Sequence, residues 1–316
     1  MSKDKYTIPS FSLSLLHPRC WGVWLGFGLL AIIVNTLPYS LLFRFGRWLG
    51  HVGMKCSKDR VHITLRNIQL AFPDKSDQER QAIVEENFKN TGLGLIETGI
   101  TWFWPTWRFK RTLIEKDIAL LRQCAQDKQG VLLCCVHALN LEITARAFAV
   151  MGLGGHGVYR PHKNPAYDFI QCWGRSHNGN SLIDRKNVKQ MIRVLRSGDR
   201  LFYLPDHDYG RNKSVFVPFF AVKDACTTTG TSILATTSHC KIIPGSGFRN
   251  TQGKYEIMAD ISIEEDYPQK DEVAAAAYMN QYVEMLILRA PSQWMWLHKR
   301  FKTMADPSEQ KACRYQ

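Results

Sequence analysis

Residues 131–142 read VLLCCVHALNLE: six apolar residues run into His137, and Glu142 follows five positions later. A continuous apolar run of this length, led in by Gly130, predicts a strand buried on both faces. The following segment, ALNLEITARAFAVMG, has helical spacing and ends at Gly152. A buried strand feeding a helix through a short loop is the unit from which α/β sheets are built, and their reactive loops lie beyond the carboxyl ends of the strands. His137 stands at such an end.

The alternation continues outward from this unit. GHGVYRP, RLFYLPDHD, VFVPFF, KIIPGSGF and KYEIMADISI read as strands. RKNVKQMIRVLRSGD, TTTGTSILATTSHC and DEVAAAAYMNQYVEMLILRAP read as helices, and NPAYDFIQCWGR as a helical turn or two. Upstream, SDQERQAIVEENFKNTGLGLIETGI is predicted helical, with Ser76 and Glu79 at capping-box spacing. The expected fold is α/β, a single mainly parallel sheet covered by helices, in one domain over 41–316. The sequence contains no internal repeat and no low-complexity linker.

The chain has 316 residues, 45% of them hydrophobic, which supports a sizeable core and excludes wholesale disorder. A net charge of +13 and a pI near 9.4 point to an anionic partner: nucleic acid, anionic lipid or an acidic carrier protein. Basic residues are scattered and no nucleic-acid module is present, which ranks nucleic acid last. Nine cysteines without a C-x-x-C pair suggest neither a disulfide framework nor zinc, so a reducing compartment is expected.

From Trp21 to Leu37 run seventeen residues without a charge, the lower limit for spanning a bilayer. Arg44, Arg47, Lys55, Lys58 and Arg60 follow, a basic flank that favours a cytoplasmic downstream side. The expected organisation is a tail over 1–20, a single-pass anchor helix over 21–40, and the cytoplasmic domain; a buried core helix is the alternative reading. The rings of TWFWPTW suit a core or the lipid headgroup level equally.

Within one helix a gap of five residues turns through about 500°, so His137 and Glu142 can meet only if the histidine precedes the helix and the glutamate sits in its early turns. In that arrangement neutral His137 takes a proton from a hydroxyl, while Glu142 accepts a hydrogen bond from the other ring nitrogen. It would be a serine-protease triad with the substrate's alcohol in place of the serine. Two plainer readings compete: Glu142 and Arg146 at i, i+4 form a surface ion pair, and His137 is an ordinary helix N-terminal residue.

His137-x4-Glu142 resembles the H-x4-D/E signature of the glycerolipid acyltransferase superfamily. GVYRP, NPAYDFIQCWGR, DRKNVKQMI, PDHDYG, SVFVPFFAVKDACTTTGTSILA and WMWLHKRFKT, in that order, look like the late acyltransferases of bacterial lipid A biosynthesis. LLHPRCWGVWLG and ETGITWFWP extend the resemblance through the anchor, so it covers nearly the whole chain. It implies an inner-membrane enzyme that moves a fatty acyl group from acyl-carrier protein to the hydroxyl of a 3-hydroxyacyl chain on Kdo2-lipid IVA. A lauroyl-type donor is expected, with palmitoleoyl and myristoyl types as alternatives. No cofactor is implied, because the acyl carrier is a co-substrate.

Carried over residue by residue, the resemblance makes His137 the general base and Glu142 its orienting partner. Arg175 is then expected to bind phosphate or stabilise an oxyanion, and Asp206 to order that arginine or its loop. A turn residue after Pro205 is the plainer reading of Asp206. Arg160 either contacts phosphates or simply ends a strand. TTTG at 227–230 suits an anion or a helix cap, and LHKRFK at 297–302 grips phosphate or Kdo carboxylates or is simply a solvated basic face. His207 and Asp208 beside Asp206 lack a second cluster at ligand spacing, so no metal is expected.

A membrane-tethered binder of anionic lipid that performs no chemistry is the rival from another class.

Overall fold

The computed structural model describes residues 8–259, 261, 263, 267–306, 314 and 315. A helical layer comes first: α1 (Trp21–Thr36), α2 (Tyr39–Cys56), α3 (Lys58–Ala71), α4 (Asp77–Phe103) and α5 (Thr106–Lys110). There follow β1 (Leu113–Glu115), α6 (Ala119–Gln126), β2 (Val131–Cys134), α7 (Leu141–Phe148), β3 (His156–Tyr159), α8 (Pro165–Ser176) and β4 (Ser181–Asp184). Next are α9 (Val188–Arg196), β5 (Arg200–Tyr203), β6 (Ser214–Phe219), β7 (Val222–Thr228) and α10 (Gly230–Ser238). The chain continues through β8 (Lys241–Pro244), β9 (Ser246–Arg249), β10 (Tyr255–Met258) and α11 (Glu272–Arg289).

The principal sheet has five strands in the order β4-β3-β5-β2-β8, every pairing parallel. Strand β2 lies between β5 and β8, and all four of its residues are buried. Its alternation assigns a core to each face. Val131, Leu133 and Cys135 join Ile143 and Phe148 of α7 and Leu93, Ile96 and Ile100 of α4. Leu132 and Cys134 join Met191 and Leu195 of α9, Leu234 of α10 and Met279 of α11. The apolar run that lacks period-2 patterning is therefore a strand covered twice, as expected.

A single sheet does not describe the whole molecule. β1, β10 and β9 form a second, mixed sheet, and β6 and β7 form an antiparallel hairpin. KIIPGSGF, read as one strand, divides at Gly245: β8 remains in the principal sheet and β9 leaves it. Pro244 cannot donate to a ladder, and a Cβ on Gly245 would fall 2.7 Å from Leu133 Cδ1, so the chain turns where only glycine fits. Strand β7 escaped the sequence reading because Lys223 and Asp224 interrupt its apolar pattern. In KYEIMADISI, β10 covers Tyr255–Met258, and Asp260 and Ser262 lie outside the described residues.

Helix α4 starts at the anticipated capping box: the Ser76 hydroxyl accepts from the Glu79 amide, and the Glu79 carboxylate accepts from the Ser76 amide at 2.8 Å. It packs on α2 with backbones in contact, since a Cβ on Gly92 would lie 2.1 Å from the Gly50 nitrogen. Arg146 is buried and donates to the carbonyls of Ile100, Thr101 and Trp104, closing the carboxyl end of α4. This is why it does not form the surface pair with Glu142: its fork is committed to orphan carbonyls. NPAYDFIQCWGR forms three turns rather than one or two, because Asn164 caps the amides of Ala166 and Tyr167.

Among the described residues, the segment Pro18–Thr36 is long and apolar enough to cross a membrane, in keeping with membrane association. Its helix, α1, is docked on the domain: Phe27 stacks on Trp102 of α4 with centroids 5.3 Å apart, and Val34 is fully buried. Trp102 and Trp104 of the TWFWPTW run are core residues, whereas Trp107 is 61% exposed.

Candidate active site

Strands β2 and β5 are neighbours in register, with Cys134 opposite Tyr203, and the Cys135 amide donates to the Tyr203 carbonyl at 2.8 Å. His137 and Asp206 each stand three residues beyond that pair, so the sheet delivers them to one place. His137 Nδ1 lies 2.7 Å from Asp206 Oδ1, and the His137 amide donates to Oδ2 at 2.7 Å. Trp294 Nε1 donates to the same Oδ2 at 2.6 Å. Asp206 is completely buried, whereas the His137 side chain keeps 22% of its surface exposed. Burial alone would raise the Asp206 carboxyl, but the charge and hydrogen bonds of His137, helped by His207, hold it well below the usual carboxylate range. An ionised Asp206 requires the proton on Nδ1, which leaves Nε2 as the basic nitrogen.

His207 lies flat on His137, with centroids 3.6 Å apart and 7° between planes, and His298 is 4.8 Å beyond it. Burial, with His137 adding to it, pushes His207 down to about 3, and burial lowers His298 as well. The ring packed on His137 is therefore neutral at physiological pH and fixes its plane without competing for its proton. His207 Nε2 is buried without a hydrogen-bond partner. Sequence reasoning weighed His207 only as a metal ligand and missed Trp294; both roles depend on contacts between segments far apart in the chain.

Glu142 lies in the first turn of α7, as the spacing required, but its partner is different. Arg175, in the last turn of α8, donates to Glu142 Oε1 from Nε at 2.8 Å and from Nη2 at 2.5 Å, and Trp102 Nε1 donates to Oε2 at 3.1 Å. Burial works against the Arg175 charge, but Glu142 more than restores it, so its pKa is raised. The expected pairings are exchanged: Asp206, not Glu142, receives His137 Nδ1, and Glu142, not Asp206, orders Arg175. The physical reason is strand adjacency, which puts the residue after β5 beside His137, while the helical turn at Leu141 carries Glu142 toward α8.

The remaining candidates separate cleanly. Arg160 follows β3 directly and is exposed, with no ion pair among the described residues. In TTTG, Thr228 Oγ1 accepts from the Gly230 amide at 3.1 Å and Thr229 Oγ1 donates to the Lys213 carbonyl at 3.2 Å, so these hydroxyls stitch α10 to the hairpin. LHKRFK is not uniformly solvated. Arg300 is buried, donates to the Cys226 carbonyl at 2.8 Å, and sits 4.4 Å from the Phe219 ring centroid. Lys299 and Lys302 are exposed.

Ligand atoms of His137, Asp206 and His207 lie within 4.8 Å of one another, a set that can be read as a cation site. The donor chemistry fits poorly, because both Asp206 oxygens already accept N–H bonds and Nδ1 of His137 supplies one of them. The same atoms are better described as a hydrogen-bonded imidazole–carboxylate pair.

An imidazole hydrogen-bonded to a buried carboxylate at the carboxyl end of a parallel sheet is suited to moving a proton from a hydroxyl, and a carboxylate-ordered guanidinium is suited to stabilising developing negative charge. Comparison with known proteins agrees with group-transfer chemistry. Residues 8–303 match the bacterial lipid A biosynthesis acyltransferase family, and the chain belongs to that family. It is 45% identical to a lipid A biosynthesis lauroyltransferase of Escherichia coli, over 95% of this chain and 97% of the relative. It is 37% identical to a palmitoleoyltransferase of the same pathway and organism, over 93% and 95% of the two chains. Identity to the corresponding myristoyltransferase is 29%, over 94% and 91%. The protein is an acyltransferase of lipid A biosynthesis.

Proposed function

We propose that the protein transfers a fatty acyl chain of the lauroyl type from acyl-carrier protein to the hydroxyl of a 3-hydroxyacyl chain on Kdo2-lipid IVA. The single observation that carries the mechanism is the 2.7 Å His137–Asp206 hydrogen bond at the ends of adjacent strands. His137 Nε2 takes the hydroxyl proton as the oxygen attacks the thioester carbonyl, and Asp206 stabilises the imidazolium. Collapse of the tetrahedral intermediate expels the carrier's thiolate, which recovers the proton from His137 Nε2. The product is an acyloxyacyl ester. Arg175, held by Glu142, presents its remaining N–H groups to the oxyanion or to a substrate phosphate, and exposed Arg160 adds a second cation for phosphate. No metal or cofactor is needed, since every proton movement is served by an imidazole.

Both substrates are anionic, which matches a charge of +13. Acyl-carrier protein is a cytoplasmic donor and the acceptor resides in the inner membrane, so the domain works at the cytoplasmic face of that membrane. The resemblance to the lauroyl relative supports a lauroyl donor, while similarity to the palmitoleoyl and myristoyl relatives makes their donors the second reading.

The test is acyl transfer followed by mass spectrometry, with Kdo2-lipid IVA and a panel of acyl-carrier donors, and with His137→Ala as control. A mass gain of one acyl chain that disappears in the variant supports the reaction and names the donor. No gain from folded protein, with either Kdo2-lipid IVA or the penta-acylated acceptor, would favour a binder of anionic lipid.

A further inference from the structure

The apolar segment before the domain is too closely docked to leave it. The helical stretch Pro18–Thr36 has 19 residues, about 28 Å at 1.5 Å per residue against a hydrocarbon core of about 30 Å, so its length permits a span and its attachments decide the matter. Both of its ends are fastened to the same domain. Ahead of it, Phe11 meets Phe169 of α8 at 5.8 Å, and Trp24 in the helix reaches the same ring at 6.2 Å. Beyond it, Arg108 donates to the Leu37 carbonyl at 3.2 Å and the Tyr39 hydroxyl donates to the Gly253 carbonyl at 2.5 Å. Between these ties, Phe27 lies on Trp102, and a Cβ on Gly99 would fall 2.8 Å from Leu30 and Val34. A helix that crossed the bilayer would carry Phe169, six residues before Arg175, to the far side.

The opposite face of α1 is bare. Trp21, Leu25, Leu29 and Ile32 form one helical line, each 57% to 72% exposed, and Leu13 and Leu16 before the helix are 80% and 51% exposed. Residues 8–36 contain no acidic group and one Lys or Arg, Arg19. On α2 the exposed line Leu41, Arg44, Trp48, Val52 and Lys55 mixes apolar, indole and cationic groups, the composition that suits an anionic headgroup layer.

We propose that α1 lies in the plane of a single anionic phospholipid leaflet, immersing Trp21, Leu25, Leu29 and Ile32, and that it does not span the bilayer. The N-terminal segment and the domain are then on the same side. The geometry also gives the site its route to lipid: Phe27 packs on Trp102, whose indole donates to Glu142, so the immersed helix borders the residues that would meet an acceptor rising from that leaflet.

The test is sidedness. Cys56→Ser and Cys313→Ser remove the exposed Cys56 thiol and the thiol near the C-terminus. Ser10→Cys before the helix and Lys189→Cys on α9, both at exposed positions, are then introduced separately. Each variant is treated with a membrane-impermeant maleimide in right-side-out and in inside-out membrane vesicles, after its thermal midpoint in detergent is matched to the parent. In-plane seating predicts that both cysteines label in the same vesicle orientation, with at least about a tenfold preference over the other. Labelling of the two from opposite orientations would establish a span and overturn the proposal, whatever the outcome of the acyl-transfer assay.

Discussion

His137 and Asp206 are 69 residues apart in the chain, yet Nδ1 and Oδ1 meet at 2.7 Å because each follows one of two adjacent parallel strands by the same number of residues. An orienting role for Asp206 gives a distinct expectation for Asp206→Asn. The amide cannot stabilise an imidazolium and favours the wrong ring tautomer. Turnover should fall about 10³–10⁴-fold with the fold preserved, the scale seen when the orienting aspartate of a serine-protease triad is amidated. Single-turnover acyl transfer measures it, and a loss below tenfold would remove Asp206 from the relay.

Glu142→Ala is expected to act through Arg175 rather than through His137. It deletes the acceptor of two guanidinium bonds and of the Trp102 indole. A double-mutant cycle of Glu142→Gln and Arg175→Lys should show a coupling of roughly 1–3 kcal/mol in kcat/KM. The cycle of Glu142→Gln with His137→Gln should be nearly additive. The reverse pattern would restore Glu142 as the imidazole's partner.

Gly174 of α8 faces the Trp102 ring so closely that a Cβ there would lie 2.3 Å from Cδ2. Gly174→Ala must displace the indole that donates to Glu142. Overpacking of this kind costs about 1–3 kcal/mol, so the thermal midpoint should drop together with activity. Gly28→Ala on α1, where a Cβ meets nothing within 4 Å, is the control and should change neither.

Stability should decline on mild acidification. Burial pushes His207 down to about 3, whereas an unfolded histidine titrates near 6.5. Between those values the unfolded chain binds a proton that the folded ring refuses, so stability falls as pH drops through this window, by up to about 1.4 kcal/mol per unit for one group. Asp206 adds a later loss: its folded pKa is depressed, so its contribution is present above about 3.9 and fades as pH falls further. Chemical denaturation from pH 7 to 4 should show the slope, and His207→Phe should flatten part of it. An unchanged slope in that variant would argue against a buried neutral imidazole.

The parallel sheet was legible because β2 has no hydrophilic face to alternate with, and the His137 position followed from strand and helix succession alone. Glu142 was correctly placed in an early helical turn, since Asn140 and Leu141 leave little room for another course. Which carboxylate meets the imidazole was not legible. That depends on β5 lying beside β2, a neighbour relation that skips over β3 and β4 in the chain, and on a register invisible in either strand by itself. The division at Gly245 and the Trp294 bond to Asp206 were hidden for the same reason: both are set by contacts across distant segments.

The symmetric offset of the two residues from Cys134 and Tyr203 makes loop length part of the chemistry. Inserting one residue on either side would advance that arm by about 3.3 Å and turn its side chain to the opposite face of the sheet. The two loops thus form a matched set in which any indel in one must be answered in the other.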